Sequence, residues 1–219
     1  MASSDGPRYT AIIADDHQIV RSGLAAALGK GGLIEAVGID VVAEAANGLE
    51  AIELVKRHRP DLLLLDIAMP LASGAEIIAD IRRWSPATRI VVMTAVTSPG
   101  VLANLVESGV DGLFSKASDN AELFTRLSLI LRGARHVAEP FVRIMREARP
   151  MVPLSDRERQ TLNMIISGKS NNEIADLMGV SPRTSEKHRA SLMAKMEVKS
   201  VVELMSRALR DGLIEKHSL

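Results

Sequence analysis

Between residues 9 and 132 the chain repeats one pattern five times: a short apolar run, then an amphipathic segment with helical spacing. The runs are "YTAIIA" (9–14), "DVVAEA" (40–45), "DLLLLD" (61–66), "RIVVMT" (89–94) and "GLFS" (112–115). The segments between and after them include "HQIVRSGLAAALG", with Ile19, Val20, Leu24 and Leu28 expected on one face, and "GLEAIELVKRH", with Leu49, Ile52, Leu54 and Val55. "GAEIIADIRRW", "PGVLANLVESG" and "NAELFTRLSLILR" complete the set. Strict strand–helix alternation leaves the strands parallel, with right-handed helical crossovers covering both faces of the sheet. Apolar runs that do not alternate with polar residues suit strands buried on both sides. The predicted fold class for this half is α/β, a five-stranded parallel sheet.

The pattern then changes. Residues 133–153, "GARHVAEPFVRIMREARPMVP", contain three prolines and several arginines and read as a linker, with a short helix between Pro140 and Arg149. From 154 to 215 the signals are helical only. Ser155 with Glu158 three residues on is a capping box, and Gly168 closes that helix. "NNEIADLMGV" is a short helix ending at Gly179. Ser181 caps the third helix, with Pro182 at its first position. "KSVVELMSRALRDG" is a fourth, closed by Gly212. The chain thus reads as an α/β domain over 9–132, a linker over 133–153 and a smaller all-α domain of four helices.

Composition removes several functional classes. The 219 residues contain no cysteine, which excludes disulfides, iron–sulfur clusters and thiolate zinc sites. No apolar run approaches the ~20 residues of a membrane span, and "MASSDGPR" is polar rather than signal-like, so a cytoplasmic protein with no membrane partner is expected. Aromatic residues at 2 % disfavour a base-stacking surface for single strands. Charges balance at 27 basic and 27 acidic, with residues 154–219 slightly basic at 11 against 9. That surplus alone does not establish nucleic-acid binding.

The strand ends carry the chemistry. In an open parallel sheet, ligands bind beyond the carboxyl ends of the strands. Those ends hold Asp15 and Asp16, then Asp66, Thr94 and Lys116. Two carboxylates about 4 Å apart repel by roughly 4 kcal/mol at a protein surface, so the Asp15–Asp16 pair calls for a counter-charge. Each residue alone has a plainer use: Asp in turns, Thr in strands, Lys in solvent. Together they match phosphorylation of a carboxylate. An Asp is the nucleophile, Mg²⁺ offsets the acids, Lys stabilises the phosphoryl charge and Thr hydrogen-bonds to a phosphoryl oxygen.

"ADDH", "LLLLDIAMPLASG", "VVMTA" and "GLFSKAS" resemble the receiver domain of two-component response regulators over residues 9–132. The resemblance implies a flavodoxin-like strand order 2-1-3-4-5. It implies that Asp66 accepts phosphate from a histidine kinase, with Asp16, Asp66 and the backbone carbonyl of Ala68 ligating Mg²⁺ and Asp15 acting through water. Lys116 would pair with the phosphoryl group and Thr94 would be the switch hydroxyl. Three positions depart from the family pattern. Leu113 stands where a switch aromatic is usual, with Phe114 next to it. Ala117 follows Lys116 where a proline is common, and the segment 29–39 is extended. Ala68 and Val96 flank the site without polar groups to guide water, so a long-lived phosphorylated form is expected.

A short helix, a glycine-containing turn and a second helix form a helix-turn-helix pattern, although any small helical bundle shares it. In "SPRTSEKHRASLMAKM", helical spacing turns Ser185, Leu192 and Met196 inward and Glu186, Lys187 and Ala190 outward. Residues 150–215 resemble the LuxR/FixJ-type DNA-binding domain, with Ser185 at a position usually Val. The resemblance implies dimeric binding to double-stranded DNA. Glu186 and Lys187 are candidates for base edges, and Arg183, Thr184, His188, Arg189 and Lys195 for phosphates. The apolar surplus of the fourth helix is a candidate dimer contact.

The combined expectation is a NarL/FixJ-type response regulator: a DNA-binding transcription factor, not an enzyme, switched by phosphate on Asp66 and active as a homodimer. Two alternatives are a regulator whose DNA binding ignores phosphorylation and an Asp-nucleophile phosphatase.

Overall fold

A computed structural model describes residues 8–35, 38–71, 74–147, 154–211 and 213–214. The polar start "MASSDGP", the end of the expected linker (148–153) and the capping Gly212 lie outside them. The chain forms two compact units, one built mainly from the residues before Glu147 and the other mainly from those after Arg146.

The first unit is a parallel sheet of β1 (Thr10–Ala14), β2 (Asp40–Ala45), β3 (Leu62–Leu65), β4 (Arg89–Thr94), β5 (Gly112–Ser115) and β6 (His136–Val137), in the order β2-β1-β3-β4-β5-β6. Its helices are α1 (Gln18–Gly29), α2 (Gly48–His58), α3 (Gly74–Trp84), α4 (Pro99–Glu107), α5 (Asn120–Leu131) and α6 (Glu139–Glu147). β3 is buried at every position and β4 at all but its first, as unbroken apolar runs require, whereas the outer strand β2 is half-exposed.

The sheet has six strands rather than five. The sixth comes from the stretch read as a linker: Gly133, in the left-handed region at φ 103°, turns the chain after α5. His136 and Ala138 then donate their N–H groups to the carbonyls of Asp111 and Leu113. Ala138 joins the core formed by Leu28, Leu64, Val91, Phe114 and Leu127.

Two helix-face readings need correction. Ile19 is 88 % exposed and Leu49 is also exposed, while Leu24, Leu28, Ile52 and Val55 are buried. At about 100° per residue, Ile19 lies about 180° from Leu28, so it never shared the buried stripe.

The second unit holds α7 (Asp156–Ile166), α8 (Asn171–Met178), α9 (Pro182–Lys195) and α10 (Val201–Arg210). Its core is built from Leu162, Ile174, Leu192, Met196, Leu204 and Ala208. The capping boxes at Ser155/Glu158 and Ser170/Glu173 start α7 and α8. Gly179 ends α8 in the left-handed conformation at φ 63°, which glycine adopts without a Cβ penalty, and Ser181 then caps α9.

Candidate functional site

The sheet order places the ends of β1, β3, β4 and β5 side by side. The ladder continues past the strands: Asp66 N–H donates to the Ala14 carbonyl at 2.8 Å, and Lys116 N–H to the Thr94 carbonyl at 3.0 Å. Asp66 and Lys116 are therefore held at one rim by backbone bonds, as is Asp15, whose N–H donates to the Ala45 carbonyl at 3.1 Å. Lys116 Nζ lies 2.6 Å from Asp15 Oδ2 and 2.6 Å from Asp66 Oδ2. One ammonium is shared between two carboxylates that are both almost fully buried. Burial pushes the Lys116 pKa down, but the hydrogen bonds and charges of Asp15 and Asp66 outweigh it, and the net direction is up. Lys116 is a fixed cation through the neutral range.

The remaining oxygens are aimed by the loops. Asp66 Oδ1 accepts from the Ala68 N–H at 3.0 Å, and Asp15 Oδ1 from the His17 N–H at 2.9 Å. Arg21 donates to the Asp15 carbonyl at 2.8 Å and pairs with Glu44 at 3.0 Å. Gly74 opens α3 against Ile67, where an added Cβ would stand 2.9 Å from the isoleucine side chain. The backbone after Asp66 can approach α3 this closely only with glycine there. Thr94 is buried, and its Oγ1 accepts from the Val96 N–H at 3.0 Å. Leu113 is fully buried in β5, and Phe114 stacks on His136 at 5.2 Å between ring centroids.

Asp16 is more exposed, and its Oδ1 lies 2.7 Å from His17 Nδ1. Asp15, Asp16 and His17 offer ligand atoms within 4.8 Å of one another. His17 looks like a simple helix starter from sequence, and it is the N-cap of α1, but its ring also joins this cluster. The donor set around the rim is dominated by carboxylate oxygen, which suits a hard divalent ion such as Mg²⁺. Receiver domains generally hold Mg²⁺ at such an acidic site.

In the second unit, Ser185 and Leu192 of α9 and its C-cap Met196 face inward and are buried. Ser185 Oγ donates to the Asn171 carbonyl at 3.1 Å, so the hydroxyl is satisfied where an apolar side chain is usual. Arg183, Glu186 and Lys187 are exposed in the first half of α9, and Thr184 and His188 are half-exposed. Arg189 and Lys195 are already engaged. Arg189 Nη1 donates to Asn171 Oδ1 at 2.8 Å, tying α9 to α8. Lys195 Nζ lies 2.7 Å from Glu158 Oε2.

Glu158 also accepts from the Ser155 N–H and Oγ and from Ser191 Oγ, each at 2.8 Å. The Lys195 ammonium beside it, helped by the serine donors and opposed by burial, holds its carboxyl at about 2. The capping box announces Glu158 as an end cap, but its reach to α9 spans 37 residues and leaves no local signal.

Comparison with known proteins matches this two-part arrangement. The response regulator receiver domain matches residues 11–128, and the DNA-binding domain of the bacterial regulatory proteins of the luxR family matches 152–208. The chain belongs to the response regulators that join a receiver to a LuxR-type DNA-binding domain.

It is 31 % identical to the probable transcriptional regulatory protein NarL of Mycobacterium tuberculosis, over 98 % of this chain and 100 % of that one. It is 32 % identical to the oxygen regulatory protein NreC of Staphylococcus epidermidis, over 93 % and 98 %. Among solved structures it resembles RcsB from Salmonella enterica serovar Typhimurium bound to the promoter P1flhDC in the presence of the phosphomimetic BeF3-. The TM-score is 0.69 at 25 % identity, covering 93 % of this chain and 99 % of that one. Among the described residues no helix is long and apolar enough to cross a membrane.

Proposed function

We propose that phosphorylation of Asp66 by a histidine kinase controls how this regulator binds double-stranded DNA. The observation that carries the reading is Lys116 Nζ, 2.6 Å from both Asp15 and Asp66 at the rim of the sheet. An Asp66 oxygen attacks phosphorus, the P–N bond of a phosphohistidine breaks, and an aspartyl phosphate forms. Lys116 then pairs with a phosphoryl oxygen, and the buried Thr94 hydroxyl, which accepts from the Val96 N–H, turns toward the new group. Asp15, Asp16, Asp66 and the Ala68 carbonyl are the residues that would hold Mg²⁺. When bound, the ion neutralises charge on the transferring group. The phosphorylated and unphosphorylated receivers are two states whose balance the modification shifts.

On the DNA side, Glu186 and Lys187 contact base edges, and Arg183, Thr184 and His188 contact phosphates, from the N-terminal half of α9. Arg189 and Lys195 serve by holding α9 in place. A homodimer presents two copies of α9 to two half-sites.

The test is labelling with acetyl phosphate and Mg²⁺. One phosphate per chain, absent in Asp66→Asn, supports the reading. Label that persists in that variant contradicts it, as does many-fold turnover, which is the mark of a phosphatase. Ala68 and Val96 bring no polar side chain to guide water, so the label should outlast minutes; loss within seconds would refute slow hydrolysis.

A further inference from the structure

The C-terminal ends of α2 and α3 meet around an exposed tryptophan. Trp84 is 47 % exposed at the end of α3. Lys56 Nζ of α2 lies 4.9 Å from its ring centroid, and the Arg83 guanidinium carbon lies 5.4 Å from it. Arg57 and Arg59 extend the same end of α2, with Arg59 as its cap in the left-handed conformation at φ 44°. All four cations are exposed, and among the described residues none forms an ion pair. Glu53 and Asp80, one turn back on the two helices, are not paired with them.

The helix dipole favours basic residues in a last turn. It does not account for an exposed indole bracketed by cations from two different helices. The stack restrains Lys56 and Arg83 and so lowers the entropy lost when they bind an anion. Four exposed cations gathered around one ring, with no acid among the described residues paired to them, are complementary to the regular line of phosphates along a duplex. The whole chain has no net charge, so this concentration of unmatched cations is local.

We propose that this patch of the receiver unit binds the phosphodiester backbone of duplex DNA outside the sequence read by α9. The inference rests on the DNA-binding reading above. Once α9 is on its site, flanking DNA is at high effective concentration, and a weak, sequence-independent contact adds to affinity.

The test uses the full chain and a site selected from random duplexes. It is presented in a duplex of about 20 base pairs, enough for two half-sites, and in one of about 60. Wild type should bind the long duplex about tenfold tighter. Lys56→Glu with Arg83→Glu should remove that advantage, lower the long-duplex salt slope by about 2 per chain and leave the short duplex unchanged. Lys56→Gln with Arg83→Gln is the milder pair, should the reversed charges disturb folding, and unchanged circular dichroism and melting temperature check both.

An undiminished long-duplex advantage in the variants overturns the proposal, and so does an equal loss on both duplexes. Binding of a polyglutamate peptide through the patch, with DNA affinities unmoved, assigns it to an acidic polypeptide and overturns it as well. A wild type that binds neither duplex contradicts the DNA-binding reading itself, and the patch falls with it.

Discussion

Lys116 and Lys195 each end on a buried carboxylate, but their surroundings differ. Lys116 divides itself between Asp15 and Asp66, with Asp16 beside them, so one cation faces three acids. Lys195 ends on Glu158, which also collects three hydrogen bonds from Ser155 and Ser191. The receiver cluster has charge left over; the carboxylate in the DNA-binding unit has its needs met. Surplus charge at a rim is what a divalent ion and a phosphoryl group can use. A satisfied carboxylate has no unmet need for a ligand, and its effect is to fix α9 against α7. A perturbed titration therefore does not mark the reactive site by itself: Glu158 is held at about 2 in the structural cluster.

Substitutions can break this contrast. The largest effect is expected from Glu158→Ala, which removes the buried carboxylate that Lys195, Ser155 and Ser191 share. It should destabilise the DNA-binding unit by about 3 kcal/mol, read from urea unfolding followed by helix signal. A loss under about 0.5 kcal/mol, the size of an ordinary surface change, would show that the cluster holds nothing.

The same carboxylate sets an acid limit. Its pKa is lowered on folding, so its contribution is whole above the ordinary 4.5 and fades as pH falls toward about 2. The stability gap between wild type and Glu158→Gln should close across that window. A gap unchanged across it would contradict the assignment.

Next in size, Lys187→Ala should cost about 1.5 kcal/mol of discrimination at one base step in selected sites. Lys195→Ala should lower stability and leave base preference intact. If both merely weaken binding to all sequences alike, the division between reading and holding residues is wrong.

The smallest effect tests the receiver side. Asp16→Asn removes surplus charge and should stabilise the receiver unit by about 0.5 kcal/mol while weakening Mg²⁺ affinity, measured by thermal unfolding and by ion titration. Destabilisation would mean that Asp16 is satisfied in the way Glu158 is.

The same distinction governs what could be read from the sequence. β2, β4, β5, α2 and α3 match their quoted stretches residue for residue, because short strand-length runs and amphipathic helical spacing specify them. Asp15, Asp66, Thr94 and Lys116 were legible because strand ends in a parallel sheet must converge. β6 was not: two residues make no pattern, and their pairing depends on the turn at Gly133 and the free edge of β5. The engagement of Lys195 was hidden too, since helical spacing shows a residue facing out but not a partner on another helix. Ile19 was legible in principle, its angle to Leu28 following from helix geometry alone.

The most direct test of the account is the affinity of the full chain for a selected duplex, with and without acetyl phosphate and Mg²⁺, in wild type and in Asp66→Asn. The account predicts a change of several-fold or more in wild type that tracks incorporation of one phosphate per chain and is absent in the variant. Full labelling of wild type with no change in DNA affinity would contradict it.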